Sequence, residues 1–522
     1  MPTPRAHGGA ALQHIPLTVP GFFGLNKQAE TSLLGPEWAT ELVNAVVDES
    51  NRVASRKGWN SQTTTTAASA RITQLFEYRK YDGTVELLGG LSDTDIERST
   101  DDGDTWADVT GTATHTSTNI QFLNFNDVVY GITDDGDDNI LYSGTTFSDD
   151  AATGRPTGSV GLSAFGRIWA TSANNTVIQY SALLDETDWN GADTGNIDMR
   201  NVWPEGDNIT AMAAFNGALV IFGKNNIAIY SDGQGSELGI DPTQIYLVDT
   251  ITGTGCIARD TVVNVDGDLW FLSATGIQSL ARLVQEKSNP LSNLSSNIQD
   301  YLQGFVQASS ASDIRAVYSP ADRVYLLSLP KVASSAEAGR AFCFDTRGRL
   351  PDGGVRCTGV WDGFVPRANV IRLDGTWLSA LYAPTGEVGK YDGYNDDGAT
   401  YNFEYNSGWL DLTQQGFLII PKRISGLFFL DNNSTIALKW AFDFITTFQS
   451  QQLVFSDIAG GSEFSIAEFS LDEFGGGLAL RDGKVAGRGT GEFIKLGMAV
   501  TVDGGQVALQ QLDIFAKIGR FK

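Results

Sequence analysis

The residues in this chain that most suggest chemistry form the octapeptide Ser-Thr-Asp-Asp-Gly-Asp-Thr-Trp at positions 99–106. It fits the pattern Ser-x-Asp-x-Gly-x-Thr-Trp at every fixed position. The pattern predicts a hairpin in which Asp101 accepts backbone N–H bonds across the turn. Gly103 would supply an unusual φ, and Trp106 would pack beneath the turn. We therefore expect a structural turn rather than a reactive carboxylate.

Motifs of this kind resemble the Asp-boxes of sialidase propellers, where they recur in several blades and lie away from the active site. This chain carries one copy. The resemblance implies that a sialidase would also need three arginines converging on a carboxylate, and a Tyr-Glu nucleophile pair. Sequence spacing cannot show such convergence. A glycan-binding or sialidase-like propeller therefore stays open as the alternative function.

Two Asp-rich stretches begin at Asp134 (Asp-Asp-Gly-Asp-Asp-Asn) and at Asp392 (Asp-Gly-Tyr-Asn-Asp-Asp-Gly). A calcium loop places alternating oxygen ligands around a turn made by Gly. Neither stretch has the EF-hand spacing with its terminal Glu, so both are interpreted as solvated turns. We expect no metal and no cofactor.

Cysteine and histidine are scarce. The odd number of cysteines, without a long apolar N-terminal segment that would act as a secretory signal, predicts free thiols in a reducing cytoplasm. So few histidines leave little for a metal site or for Ser-His-Asp catalysis. We therefore predict that the protein is not an enzyme and has no catalytic residues. The residues concerned are Cys256, Cys343, Cys357, His7, His14 and His115.

The net charge is −26 and the isoelectric point is about 4.4. A protein that grips nucleic acid collects Lys and Arg to displace counterions from phosphate, and this chain does the opposite. Two interpretations remain: solubility through self-repulsion, or a surface past which DNA slides without sticking. No apolar run approaches 18 residues, so no membrane-spanning segment is predicted.

A hairpin phrase at residues 214–231 dominates the pattern of predicted elements. Asn216-Gly217 is a strong hairpin signal because both residues tolerate the positive φ that such turns need. Strands are predicted on either side of a second turn, at 218–222 and at 227–230. Weaker copies of the phrase begin at Tyr81, Phe125, Phe165, Val265, Ser319 and Leu373.

The seven copies recur at intervals of roughly 40 to 55 residues, which is typical of four-stranded propeller blades. One blade cannot cover its own apolar faces, whereas blades stacked around an axis cover one another. We predict an all-β fold with a β-propeller of about seven blades over residues 71–398. Six or eight blades remain open, as does a set of unrelated antiparallel sheets.

The rest of the chain is predicted to surround the propeller. Residues 1–16 are interpreted as a mobile arm. Residues 17–60 are interpreted as a docking segment, with a helix from Pro36 to about Asn44 and a hairpin about 49–51. Residues 401–522 are predicted to form a C-terminal β platform resembling a sandwich.

A helical insertion is predicted near residues 291–307. Its apolar residues share one stripe, which favours core packing at the rim of the propeller over partner binding. These residues are Leu294, Ile298, Tyr301, Leu302 and Phe305.

Three stretches together resemble the β-propeller tail nozzle (tail-tip hub) subunits of short-tailed bacteriophages. The first is 22–59, with a Gly-x-Asn turn, a Leu-x-Pro start and an Arg-x-Gly turn. The second begins at Phe165 and ends at Leu280. The third is Trp-Leu-Asp-Leu from Trp409 with Lys-Trp-Ala-Phe-Asp-Phe from Lys439. The single Asp-box and the region 281–360 depart from the family pattern.

The resemblance implies a structural virion protein of the tail, assembled in the host cytoplasm. Such nozzles form a hexameric ring below the tail adaptor proteins, with tail fibres near its rim. DNA leaves the capsid through the channel of the ring without sequence-specific binding. A passive scaffold in the distal tip of a longer-tailed virion shares most of these features.

Overall fold

The computed structural model is an all-β structure in which a propeller and a two-sheet platform share one chain. Elements are numbered along the chain, and statements about absence or number refer to the described residues. These are 12–65, 70–134, 136, 139–203, 205–232, 244–286, 293–331, 338–382, 386–412, 417–456 and 479–520.

Six short strands precede the propeller, and none of them builds a sheet of its own: four pair with distant strands, while the second pairs with the third and the fourth with the fifth. They are β1 (Gln13–Thr18), β2 (Gly24–Leu25), β3 (Trp38–Val43), β4 (Ala45–Val47), β5 (Val53–Ser55) and β6 (Trp59–Ser61).

Five sheets follow in chain order and form blades one to five. Blade one is β7 (Ile72–Arg79), β8 (Val85–Leu91), β9 (Ile96–Ser99) and β10 (Ala107–Asp108). Blade two is β11 (Gln121–Phe125), β12 (Val128–Ile132), β13 (Ile140–Tyr142) and β14 (Phe147–Asp149). Blade three is β15 (Gly161–Ala164), β16 (Arg167–Thr171), β17 (Val177–Tyr180) and β18 (Gly195–Asp198). Blade four is β19 (Ile209–Phe215), β20 (Ala218–Gly223), β21 (Asn226–Ser231) and β22 (Tyr246–Thr252). Blade five is β23 (Val263–Val265), β24 (Asp268–Ser273) and β25 (Gly276–Ser279).

Blades six and seven complete the ring and borrow from the N-terminal strands. Blade six is β26 (Arg315–Ser319), β27 (Val324–Lys331), β28 (Ala338–Arg349) and β29 (Val355–Trp361). Blade seven is β30 (Pro366–Ile371), β31 (Trp377–Leu381) and β32 (Gly389–Tyr391), with β6 as its fourth strand. We call β6 the closing strand, because it joins the start of the propeller to its last blade.

The predicted hairpin phrase is confirmed at all seven copies. Each copy makes the turn between the first and second strands of one blade. At Asn216-Gly217 both central residues have positive φ, +49° and +73°, as the Asn-Gly signal requires. The same paired positive φ occurs at Asp266-Gly267, Phe165-Gly166 and Asn126-Asp127.

Six separate clusters of buried apolar side chains lie between neighbouring blades, and a seventh lies between blades five and six and continues into the platform. The first strands of blades five, six, seven, one, two, three and four contact one another in that order. A 3-10 helix, Arg259–Thr261, fills the place between β19 and β26. The apolar faces that a lone blade would expose are therefore covered all the way around.

Helix occurs mainly beside blades five and six. After β25 comes α1 (Leu280–Glu286), and α2 (Gln299–Ala308) follows a 3-10 turn at Ser296–Ile298. The predicted stripe packs inward, with Leu294, Ile298 and Leu302 buried. The first two residues of the predicted insertion lie outside the described residues. Among the described residues, no helix is long and apolar enough to cross a bilayer.

The platform follows the propeller as two facing sheets with a common apolar core. In one sheet β38-β35-β40-β5-β4 are neighbours, and β1 pairs with β40. In the other, β33-β39-β36-β37 continue through β3 into blade six. The strands are β33 (Tyr401–Ser407), β34 (Leu410–Asp411), β35 (Phe417–Leu430), β36 (Ser434–Phe442), β37 (Gln449–Phe455), β38 (Ala479–Val485), β39 (Phe493–Val502) and β40 (Val507–Arg520).

Two predictions for the N-terminal region are wrong. The helix expected from Pro36 is the strand β3, which lies between β29 and β33. The helical spacing of Trp38, Leu42 and Ala45 is outweighed by backbone pairing to strands more than 300 residues away. The mobile arm expected over 1–16 is wrong for residues 13–16, since β1 pairs along β40 from Gln13 onward. Residues 1–11 lie outside the described residues.

Candidate functional site at the propeller axis

A polar network fills one mouth of the propeller axis. Asn119, from blade two, accepts hydrogen bonds at Oδ1 from Arg315 of blade six (2.8 Å) and Arg259 of blade five (3.1 Å). Gln74 of blade one donates to the same oxygen at 2.6 Å. Bonds that join blades on opposite sides of the ring must cross its centre. We call these residues, with Asp260, the axial network.

Asp260 holds the two arginines of the axial network in place. Its Oδ1 lies 2.9 Å from Nε of Arg259, and its Oδ2 lies 3.1 Å from Nη1 of Arg315. Burial alone would raise the pKa of Asp260, but the two arginines outweigh it and hold the pKa well below its usual value. Burial lowers the pKa of Arg315, and Asp260 opposes that change. The axial network therefore closes this mouth with charged side chains that compensate one another's charge.

Three arginines do meet near this mouth, the third being Arg367 of blade seven. Its Nη2 lies 3.1 Å from Oδ1 of Asp313, in the same way that Arg259 and Arg315 bind Asp260. Each arginine is thus already bound to a carboxylate of the chain. The arrangement resembles a closed structural network more than a set of arginines that await the carboxylate of a substrate.

The other mouth of the propeller axis, at the opposite ends of the first strands, is more open than the mouth that holds the axial network. A pocket of about 540 Å³ lies between blades six, seven and one. Its wall is mostly apolar, with Phe76, Val370 and Pro320, and Arg372 bridges Glu77 at its edge. Leu373 on the rim is 80% exposed. The two ends of the axis therefore differ in both chemistry and access.

The octapeptide at 99–106 has the predicted geometry. Thr105 donates to Asp101 from both its backbone N (2.9 Å) and its hydroxyl (2.6 Å), and Gly103 has a φ of +94°. Trp106 is buried and donates to the carbonyl of Gly103 at 3.2 Å. Hydrogen bonding, first from Thr105 and then from Ser99, lowers the pKa of Asp101 to about 2.

The position of this turn explains why a single copy suffices. Thr63, which follows the closing strand, donates to the carbonyl of Gly103 at 2.7 Å and accepts from Val388 N of blade seven at 3.0 Å. Trp106 belongs to the apolar cluster between blades one and seven. The motif therefore secures the seam where the ring closes, and no other blade has such a seam.

The second Asp-rich stretch is not a solvated turn throughout, so that expectation needs correction. Asp396 binds both terminal nitrogens of Arg56, at 2.8 Å and 2.7 Å. Arg56 is fully buried, and its Nε donates to Asn44 at 3.0 Å. The ring of Tyr401 lies 4.2 Å from the guanidinium carbon. We call Arg56, Asp396, Asn44 and Tyr401 the junction cluster, because they join the N-terminal strands, the propeller and the platform.

The first Asp-rich stretch is described only in part, since Asp135, Asp137 and Asp138 lie outside the described residues. Asp134 accepts a hydrogen bond from Ser117 at 2.5 Å, and Asn139 is buried. Within the described ranges, no group of three or more His, Cys, Asp and Glu side chains is arranged to hold a metal ion.

All three cysteines are free and buried. Burial raises the pKa of Cys256 and of Cys357 to about 12, and that of Cys343 well above its usual value. A thiol with so high a pKa is neither a nucleophile nor a metal ligand at neutral pH. The described histidines serve local contacts: His14 binds Asp513 at 2.9 Å, and His115 bonds the carbonyl of Ser117 at 3.1 Å. His7 lies outside the described residues.

The acidic charge is unevenly distributed. Residues 72–280, which make blades one to five, contain 31 Asp and Glu against 8 Lys and Arg. They therefore account for −23 of the net charge of −26. Many of these carboxylates stand exposed in turns, for example Asp82, Asp93 and Asp185. The sequence contains this uneven charge distribution, but it is apparent only when the charged residues are counted blade by blade.

A cleft of about 810 Å³ lies where the propeller meets the platform. Its charged side chains are largely paired with one another: Lys57 with Asp322 at 2.8 Å, and Arg52 with Asp48 at 2.7 Å. Such internal pairing leaves few groups to fix a charged ligand.

No protein-family model matches the chain, and no curated protein matches its sequence. Among solved structures it is similar to the extracellular domain of BT4673 from B. thetaiotaomicron, with 11% identity, a TM-score of 0.38, and coverage of 80% of this chain and 57% of that one. It is also similar to PorZ, a surface component of the type-IX secretion system of Porphyromonas gingivalis, with 12% identity, a TM-score of 0.36, and coverage of 67% and 43%. The chain thus spans about half the length of these two structures, and at these TM-scores the likeness carries no functional argument.

Proposed function

We propose that this protein is a structural subunit of a bacteriophage tail nozzle. Six copies would form a ring below the tail adaptor proteins, tail fibres would attach near its rim, and the genome would leave through its channel. The observation that carries the proposal is the net charge of −23 over blades one to five. A wall of exposed carboxylates repels phosphate and does not retain DNA.

The closed axis supports the same function. DNA cannot pass through the propeller of one subunit, because the axial network crosses its centre. A conduit for DNA must therefore lie between copies, which is what a ring provides. Head-to-tail contacts that rotate back on themselves produce closed rings.

The junction between propeller and platform also suits a tube that must hold its shape. The platform sheet runs through β3 directly into blade six, and the fully buried Arg56 bonds to Asp396 beside that connection. A subunit built in this way transmits load between its two parts without a flexible linker.

The proposal is tested by mixing the purified protein with its adaptor and imaging the product by electron microscopy. We expect six-fold rings, with a lumen wide enough for duplex DNA. The assembled rings should also fail to retain labelled duplex DNA in a filter-binding assay at low salt. Monomers that persist under all conditions, or rings that bind DNA tightly, would contradict the proposal.

The glycan-binding or sialidase-like alternative rests on the Asp-box and on converging arginines. The Asp-box lies at the closure seam, and the arginines are already bound to carboxylates of the chain. No contact of the described residues favours it. Incubation with sialyl glycosides and a glycan array is the direct test. Turnover, or saturable binding that Arg315→Ala abolishes in a folded variant, would restore this alternative.

A further inference from the structure

The free edges of the sheets differ in how well they are protected. An unpaired edge strand offers its backbone N–H and C=O groups to another chain, so proteins usually shorten, charge or cover such strands. Blades one, two and three end in strands of two, three and four residues. Blade six is covered by β3, and blade five shows three strands within the described part of the chain.

Blade four is the exception among the blades. Its outer strand β22 is seven residues long. It exposes three apolar side chains in a row: Tyr246 (51%), Leu247 (40%) and Val248 (51%). Asp249 is its one charged residue.

The platform has a matching edge. β37 is also seven residues long, carries no charged residue, and exposes Val454 at 72%. Its neighbour β38 belongs to the facing sheet and is protected by Arg481, Asp482 and Lys484, all exposed. Lys484 is paired with Asp482 at 2.6 Å, so Arg481 is the basic side chain beside β37 that complements Asp249 on β22.

We propose that β22 of one copy docks on the β37 edge of a second copy, and that this contact builds the ring. The inference rests on the proposed function, because a ring needs one such contact per subunit. In a chain with a net charge of −26, copies repel unless they meet where carboxylates are few. Pairing two different edges is heterologous, so each copy offers one edge forward and the other back.

Cross-linking with a short bismaleimide tests the contact. The native thiols are buried, so Val248→Cys and Val454→Cys introduce the thiols that react. We expect no linked product from either single variant alone, a linked dimer from their mixture, and a ladder from the double variant.

Three of the other outcomes separate this inference from the proposed function. Rings without a 248–454 link would overturn the inference and leave the nozzle standing. Linked open chains that never close into six-fold rings would support the contact and overturn the nozzle. Dimers of Val248→Cys alone would show isologous pairing and overturn the head-to-tail arrangement. No association at all would overturn both.

A second measurement distinguishes loss of the proposed contact from a general destabilisation of the fold. Leu247→Asp and Val454→Asp should each weaken association at least about tenfold in sedimentation, because a buried carboxylate opposes docking. Leu373→Asp is the control, because Leu373 is also exposed but lies beside the pocket between blades six, seven and one. The connection 457–478, which carries five acidic residues, lies outside the described residues. If it covers β37 in its own copy, Val454→Cys will not react with maleimide, and the inference fails.

Discussion

Blades one to five and blades six and seven are built on the same hairpin, yet they are held in the molecule differently. Each of the first five takes its strands from one continuous segment and contacts mainly its neighbours. Blades six and seven take strands from the N-terminal region: β3 extends blade six and β6 completes blade seven. The first group carries a net charge of −23, and the rest of the chain only −3.

The two groups of blades therefore have different roles within one fold. Under the proposed function, the acidic blades would form the surface that repels DNA. Blades six and seven connect blades one to five to the platform. Their carboxylates are largely paired with basic side chains, as in Asp345 with Arg356 at 2.6 Å. If this division is correct, substitutions at the anchor should affect the whole molecule, whereas substitutions in the acidic blades should remain local.

The strongest test of the anchor is Arg56→Met. The variant leaves Asp396 and Asn44 without their partner in a buried site, and breaking a buried pair in this way typically costs about 3–5 kcal/mol. We expect that loss in the free energy of unfolding measured by denaturant titration. The matched control is Arg200→Met, an exposed arginine bound to Asp198, which should leave the free energy of unfolding nearly unchanged because solvent screens the pair. Equal losses would mean that the junction cluster does not anchor the platform.

The axial network joins the two groups of blades, because Asp260 and Arg259 belong to blade five and Arg315 to blade six. Asp260→Asn removes the charge that balances both arginines and should cost about 3 kcal/mol at neutral pH. Because the folded-state pKa of Asp260 lies below its unfolded value, its contribution is present above the unfolded pKa, about 3.9. That contribution is lost as the pH falls through the folded pKa.

Unfolding free energies measured from pH 7 down to pH 2 would check this dependence. The wild type should lose its advantage over Asp260→Asn towards the acid end of the range. A difference between the two proteins that stays constant with pH would show that the carboxylate charge is not what holds the network.

The sequence predicts the local features of this fold better than the features that depend on distant parts of the chain. The seven turns, such as Asn216-Gly217, are local signals and were all found, because adjacent residues determine their backbone geometry. The strand β3 was mistaken for a helix, since its partners β29 and β33 lie more than 300 residues away. The closing strand was missed for the same reason.

The axial network could not have been predicted either. Asn119, Arg259 and Arg315 come from three blades and share no motif, and only ring closure brings them together. The Asp-box succeeded as a prediction of local geometry, while its role at the seam depends on Thr63 and Val388, which no spacing connects to it.

The closure seam offers a smaller effect. Asp101→Ala removes the acceptor for the backbone N and hydroxyl of Thr105, and should cost about 1 kcal/mol because the turn is exposed to water. The pKa of Asp101, about 2, lies below its unfolded value, so this stability is present above about pH 4 and is lost as the pH falls towards 2. Thermal unfolding at pH 7 and at pH 2 measures both statements. An equal loss at the two pH values would contradict them.

The smallest effect tests whether the acidic blades act independently. Gly217→Ala and Gly267→Ala each place a Cβ in open space at positive φ, +73° and +84°, and each should cost about 1 kcal/mol. The two turns belong to different blades and share no partner, so the double variant should cost the sum within about 0.5 kcal/mol. Gly304→Ala in α2 is the control: it also meets open space, but in a helix, and should stabilise by about 0.5–1 kcal/mol. Denaturant titration of the four variants decides the point, because a double-variant loss well above the sum would mean that the turns of blades four and five are energetically coupled.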